Sequence, residues 1–357
     1  MPSIPRSRSV KARLDPLMPL TGLFLLAAAG WIGTASAEPV GTVFTANEGG
    51  GSVSRIEFPS GQVQTIQLAA APHNVDVSLA GRLLLVVGMG TTDHHAMAGH
   101  DMPDGVLVLV PLDAAASAPR IIAVGHHPAH VVPNREGTRA FLTDSEANLV
   151  IAVDLASGKA VGTVPTGRYP HGLRLSPDGR TLAVANVEDG SLSLVDTATL
   201  KESARVAVGK SPVQVGFSPD GQSVFVSLRD EDALAIVDLP SLRVAAKVGV
   251  GRKPIQVFAT PDGKFVFVAN QGTEASPDNR LSVVDVSRKE VAKTLTVGTG
   301  AHGVTVSDDG RYAFVTNIND GTVSVIDAVA QAVVQTIPVG KEPNGIAFLP
   351  KARGPGG

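Results

Sequence analysis

A mark that recurs about every 42 residues, four short β-type segments inside each interval, and a composition rich in valine and glycine predict an all-β fold. The architecture these observations imply is a single seven-bladed β-propeller of four-stranded blades. The mark is a proline, or alanine once. It falls at Pro72, Pro128, Pro170, Pro212, Pro254, Ala301 and Pro343, at intervals of 56, 42, 42, 42, 47 and 42 residues. Aromatic residues make up 4% of the chain, so the core must be built from Val, Leu, Ile and Ala, while 38 glycines supply tight turns.

The unit that begins at Pro170 shows the pattern. Gly172 to Leu175 gives a first strand and Ser176-Pro177-Asp178-Gly179 a turn. Thr181 to Asn186 gives a second strand, Glu188-Asp189-Gly190 turns the chain, Ser191 to Asp196 is a third strand and Ser203 to Val208 a fourth. Asp-Gly provides the positive-φ residue that such turns need. The text returns as SPDGQSVFVS…LAIVD, TPDGKFVFVAN…LSVVD and SDDGRYAFVTN…VSVID. Asparagines fall in phase at Asn186, Asn270 and Asn317, with Asp144 as a variant. Aspartates that end the third strands (Asp154, Asp196, Asp238, Asp285, Asp327) read as hydrogen-bond acceptors of turns.

Seven marks imply seven blades, yet Pro343 to Pro350 provides only the innermost strand of the last. The missing three are expected near the other end, in VFTAN (43 to 47), SVSRIEF (52 to 58) and QVQTIQL (62 to 68). A blade shared between the two ends closes the ring and removes exposed sheet edges.

Residues 1–37 read as a secretory leader. Arg6, Arg8, Lys11 and Arg13 form a basic start, Leu17 to Gly30 is a short apolar run, and Ala35-Ser36-Ala37 is a cleavage signal. Residues 38–350 are then the propeller and 351–357 a flexible C-terminal tail, and the expected location is the periplasm or outside the cell. No second apolar stretch is long enough for a membrane span. Zero cysteines exclude disulfides, thiolate ligands and thiol nucleophiles. Without the leader, 26 basic residues face 32 acidic ones, which is no footprint for nucleic acid.

FVTN with VSVID, FVAN with LSVVD, and the VG-x-x-P links together resemble the YVTN-type propeller repeat over roughly residues 40 to 350. That family is similar in turn to the haem-carrying propeller of bacterial nitrite reductases and to lactonase-type propellers. The resemblance implies the fold. It also implies two enzymatic alternatives, a channel histidine as axial ligand to haem iron, or hydrolysis. A third reading makes the ring a non-catalytic docking scaffold.

In a propeller the innermost strands line the channel, and the links between blades emerge on the same face as those between second and third strands. All nine histidines map there. His73, His171 and His302 occupy the first position after a mark and His130 the second, with His126 and His127 just before Pro128. Gln214, Gln256 and Asn344 occupy corresponding positions and are candidate cofactor contacts. Strand alternation would send first- and second-position side chains to opposite sides, which argues against one planar ring of four. His73, His130 and His171 come from consecutive blades and favour a local cluster, whereas His302 would have to reach across the axis.

The 56-residue interval holds an insertion, MGTTDHHAMAGHDM, between second and third strands over the same mouth. Its His94, His95, Met97, His100 and Met102 mix imidazole and thioether donors without thiolate, which suits copper best. Zinc would accept the histidines but has little use for methionine. The expected partner is a metal ion or metal cofactor, and beyond it another periplasmic protein. No nucleophile elbow, P-loop or dinucleotide fingerprint appears in a suitable context, so the residues favour binding over catalysis.

Overall fold

A computed structural model describes residues 41–90, 104–113 and 118–351. The leader assignment (1–37), residues 352–357 of the tail and most of the His/Met insertion lie outside the described residues. Among those described, no helix is long and apolar enough to cross a membrane.

The described strands form seven antiparallel four-stranded sheets. Six blades follow the chain in order: β4–β7 (Ala70 to Ala123), β8–β11 (Pro128 to Pro165), β12–β15 (Pro170 to Ala207), β16–β19 (Pro212 to Gly249), β20–β23 (Pro254 to Thr296) and β24–β27 (Ala301 to Pro338). The seventh is shared as expected. β28 (Pro343–Pro350) pairs with β1 (Gly41–Asn47), which continues through β2 (Ser52–Phe58) to β3 (Gln62–Gln67). The pairing runs antiparallel from Gly41 opposite Pro350 to Asn47 opposite Pro343.

Each turn between first and second strands is built by its own side chains. Ser176 Oγ donates to Asp178 Oδ1 at 2.6 Å, Asp178 accepts from the Arg180 N–H, and Gly179 takes φ +79°. Ser218/Asp220, Thr260/Asp262 and Ser307/Asp309 repeat the motif. At the third-strand ends, Asp154, Asp196, Asp238, Asp285 and Asp327 accept backbone N–H groups of the following turn. The in-phase asparagines link strands two and three: Asn186 donates to Ser191 and Ser193, Asn317 to Thr322 and Ser324. Asn47 makes the same bonds to Ser52 and Ser54 in the shared blade.

The core consists of layers between neighbouring sheets, because each blade has two apolar faces and can bury neither alone. At the closure, Val43, Ile56 and Phe58 pack against Tyr312, Phe314, Val323 and Val325 of the preceding blade, with Ile346 of β28. Phe58 meets Phe314 edge-on at 5.1 Å, and Phe348 stacks on Phe314 at 5.6 Å.

One irregularity recurs in every blade. Just after the mark, the innermost strand slips by one residue against the second strand, as between Pro128/Val131, Pro170/Leu173 and Pro343/Ile346. The same bulge occurs in β4, β16, β20 and β24. It sits at the first and second positions, where the candidate ligands are.

Phe314 bridges the closing blades and is 1% exposed. Phe314→Ala should cost about 3–5 kcal/mol in denaturant unfolding, and deletion of residues 343–357 should abolish cooperative unfolding. A deletion variant with an unchanged midpoint would refute the shared-blade closure as a determinant of stability.

Candidate metal centre at the channel mouth

The bulge changes how side chains leave the strand. Two residues oppose one on the partner strand, so strict alternation fails locally and a side chain is re-aimed. For this reason His130 at the second position converges with His73 and His171 at the first. One ring nitrogen from each of the three lies within 4.8 Å of the others. Ring centroids are 4.9 Å apart for His130 and His171, 5.4 Å for His73 and His171, and 5.8 Å for His73 and His130. The expectation that alternation separates the two registers is therefore corrected, and the local cluster from consecutive blades is what forms.

Glycine at the second position makes the tangential packing possible. A Cβ on Gly172 would lie 2.2 Å from Gln214 Oε1, and one on Gly345 2.7 Å from Asn74 Nδ2. With no side chain on Gly172, the Gln214 carboxamide passes over the third blade to the second, and its Nε2 contacts His130 Nδ1 at 3.1 Å. Its Oε1 accepts the Val215 N–H at 2.9 Å, which fixes the amide's orientation. Gln256 Oε1 accepts from Val304 N–H at 3.4 Å, leaving its buried Nε2 without a partner.

The hydrogen bonds set the tautomers. His73 Nδ1 lies 3.2 Å from Glu48 Oε2, and His171 Nδ1 lies 3.3 Å from the Val213 carbonyl. Both acceptors require N–H on Nδ1, so in the neutral ring the lone pair is on Nε2. His73 Nε2 is buried without any partner. His130 is set the other way: its Nδ1 accepts from Gln214, so in the neutral ring the proton is on Nε2.

Glu48 was not among the residues the sequence singles out. It follows Asn47 in the link between the second and third strands of the shared blade, a link expected on this rim, so its position was legible. Its contacts were not. Asn344 Nδ2 of β28 donates to Glu48 Oε2 at 2.6 Å, and the Glu48 N–H donates to the Glu342 carbonyl at 3.1 Å. Asn344 Nδ2 and His73 Nδ1, 3.1 Å apart, both donate to this carboxylate rather than to each other.

Withdrawal from water pushes the His130, His171 and His302 imidazoles down. The neighbouring imidazoles add to this, and the values fall to about 3 for His171 and His302 and well below the ordinary range for His130. All three are neutral near pH 7, the form that ligates metal. For Glu48, burial acts upward, but the His73 hydrogen bond and charge, the Asn344 amide and His302 outweigh it and bring the carboxyl to about 2. The carboxylate is therefore ionised, and its side-chain partners include no lysine or arginine.

His302 is 6% exposed with an unpartnered Nδ1, and it stands outside the group of three. His126 and His127 also stand outside it. Their backbone N–H groups donate to the Asp144 carboxylate at 2.9 and 3.2 Å, and the His127 ring faces Glu146 and Tyr169. His94, His95, Met97, His100 and Met102 lie outside the described residues. The described residues that flank them, Gly90 of β5 (Leu83–Gly90) and Asp104, are joined by a Gly90 N–H to Asp104 carbonyl bond of 2.8 Å. Gly90 pairs with Ala70 on β4 (Ala70–Ser78), the strand that carries His73.

Fold and site together define a seven-bladed β-propeller with an imidazole cluster at one channel mouth. Residues 200–353 match the family described as YNCE-like beta-propeller, in keeping with the YVTN-type repeat. No curated protein matches the chain by sequence. Among solved structures, the chain is similar to Kuenenia stuttgartiensis hydrazine synthase, with a TM-score of 0.65 and 18% identity over 79% of this chain and 96% of that one. It is also similar to a functionally unknown protein from Desulfotomaculum acetoxidans DSM 771, with a TM-score of 0.68 and 14% identity over 87% and 99%. At these identities the likeness is one of fold.

The depressed groups fix a pH dependence. Between 6.5 and about 3 the unfolded chain binds protons at His171 and His302 that the folded chain refuses, so stability falls as pH falls through that window. Glu48 acts in the same direction between 4.5 and about 2. Denaturant midpoints should therefore drop on acidification from about pH 6.5 to 4, and His302→Gln should flatten the slope. An identical slope in that variant would show that His302 is not the source.

Proposed function

We propose that this protein is an exported, periplasmic propeller that binds a transition-metal ion, copper above all, through His73, His130 and His171. The observation that supports it is the arrangement of three imidazoles with donor nitrogens within 4.8 Å, two of them with Nδ1 already engaged by an acceptor. A carboxylate or carbonyl on the far nitrogen fixes the ring and raises its basicity, as in carboxylate–histidine–metal sets. The ionised Glu48 also supplies negative charge that a bound cation would compensate.

Three imidazoles leave a coordination position open. Thioether from the insertion would complete a soft set and stabilise Cu(I), while imidazole serves both oxidation states. In this reading the insertion recruits or covers the ion, and the three histidines hold it for storage, delivery or redox chemistry. His130 would enter with Nδ1–H directed at the Gln214 carboxamide oxygen, freeing its Nε2, at the cost of the Val215 N–H to Gln214 Oε1 bond that now orients the amide. The leader 1–37 and a mature body from residue 38 support the assignment to the periplasm.

Elemental analysis of protein isolated from the periplasm should show about one copper per chain, lost in His73→Ala/His171→Ala and reduced by deletion of 91–103. Sub-stoichiometric metal in the wild type would end the proposal. Glu48→Gln should weaken copper about 10–100-fold, by loss of the outer partner of His73. Gln214→Glu should act oppositely, since a carboxylate there accepts from His130 Nδ1–H and presets Nε2 as ligand. Competition titrations against a chelator would measure both, and equal effects of the two variants would refute the tautomer assignment.

A further inference from the structure

Beside the imidazole cluster a cleft of about 1040 Å³ runs between the third and fourth blades, and His171 forms part of its wall. Val213, whose carbonyl holds His171 Nδ1, lines it too. The cleft thus leads from the rim to a proposed ligand, and its polar groups determine what it can receive.

Those groups are unevenly used. Asp189 accepts the Arg168 backbone N–H at 2.6 Å and the Arg168 Nε at 2.7 Å, and Arg205 approaches it at 3.8 Å. Asp230 accepts Ser211 Oγ at 2.6 Å and the Lys253 ammonium at 3.0 Å. Both carboxylates are therefore already engaged, and cations from outside the cleft share in holding them. The donors are less committed. Among the described residues Arg229 has only the occupied Asp230, at 3.5 Å, as an ion-pair partner. The Lys210 backbone N–H donates to Glu231, whose carboxylate is taken by Lys247 at 2.7 Å, and among the described residues no carboxylate comes within ion-pairing distance of the Lys210 ammonium. Glu188 is the third acidic group on the wall. Surplus N–H donors on Lys210 and Arg229, beside the already engaged carboxylates of Asp189 and Asp230, call for a ligand rich in acceptors.

We propose that this cleft is a binding site for a small polycarboxylate anion, with Lys210 and Arg229 as its recognition groups and one carboxylate directed toward His171. The proposal deepens the metal reading in one respect: a carboxylate arriving by His171 would reach the open coordination position, so the physiological ligand would be a metal-chelating organic acid. Recognition by Lys210 and Arg229 does not require the ion. The volume is at the upper end of small-molecule sites, enough for such an acid with its water.

The test uses citrate as probe on metal-free full-length protein at low ionic strength, followed by calorimetry. Wild type should bind one equivalent saturably. Lys210→Gln/Arg229→Gln should bind roughly tenfold or more weakly, as for the loss of charged hydrogen bonds. Lys293→Gln, on the outer strand of the fifth blade, should bind as wild type does. No saturable binding in the wild type, equal binding by the double variant, or an equal loss in Lys293→Gln would each overturn the proposal. His171→Ala separates the two readings: it should abolish copper uptake and leave citrate binding to metal-free protein within about twofold. Citrate binding without copper uptake in the wild type would sink the metal reading alone.

Discussion

Pairing of β28 with β1 is the interaction on which the rest of the molecule depends. Without it the first and sixth blades would each expose an apolar face, and a chain of short sheets would end in open edges. The seam also runs through the candidate site. Glu48 comes from the early part of the chain, Asn344 from the last strand and His73 from the adjoining blade, and the carboxylate joins the three. Ring closure and the orientation of one proposed ligand are thus the same set of hydrogen bonds.

A second constraint operates within each blade. The bulge after the mark places two side chains, instead of one, against a single residue of the neighbouring strand. Blades differ in how they use this. Where the second residue is glycine, at Gly172, Gly303 and Gly345, the first is His171, His302 or Asn344. Where the first is apolar, at Ala129, Val213 and Ile255, the second is His130, Gln214 or Gln256. Only the first blade carries polar groups at both, His73 and Asn74. The division relieves crowding at the mouth: the Gln214 carboxamide lies against Gly172 and Asn74 against Gly345, where a Cβ would collide.

The electrostatics follow from this crowding. Imidazoles packed against one another and withdrawn from water are held neutral, while the neighbouring carboxylate stays ionised. Neutral His130 and His171 imidazoles next to an ionised carboxylate are the reverse of an anion site and match the requirements of a cation. Between the third and fourth blades the cleft wall carries three basic and three acidic residues, with Asp189 and Asp230 already engaged and the Lys210 ammonium without an ion-pair partner among the described residues.

Blade number, strand order and the shared closure were all legible in the sequence, because a 42-residue period and Asp-Gly turns are local signals that repetition amplifies. His126 and His127 precede Pro128, and Asp144 accepts their backbone N–H groups, a contact that residue type alone does not signal. The convergence of His130 with His73 and His171 was set by a one-residue slip between strands, which leaves no signature in residue type. The role of Glu48 was set by closure of the ring, which brings residues 48 and 344 within hydrogen-bonding distance. Periodicity along a chain specifies which elements form and on which rim their links emerge. Register and long-range closure decide where a side chain points, and those belong to the assembled ring.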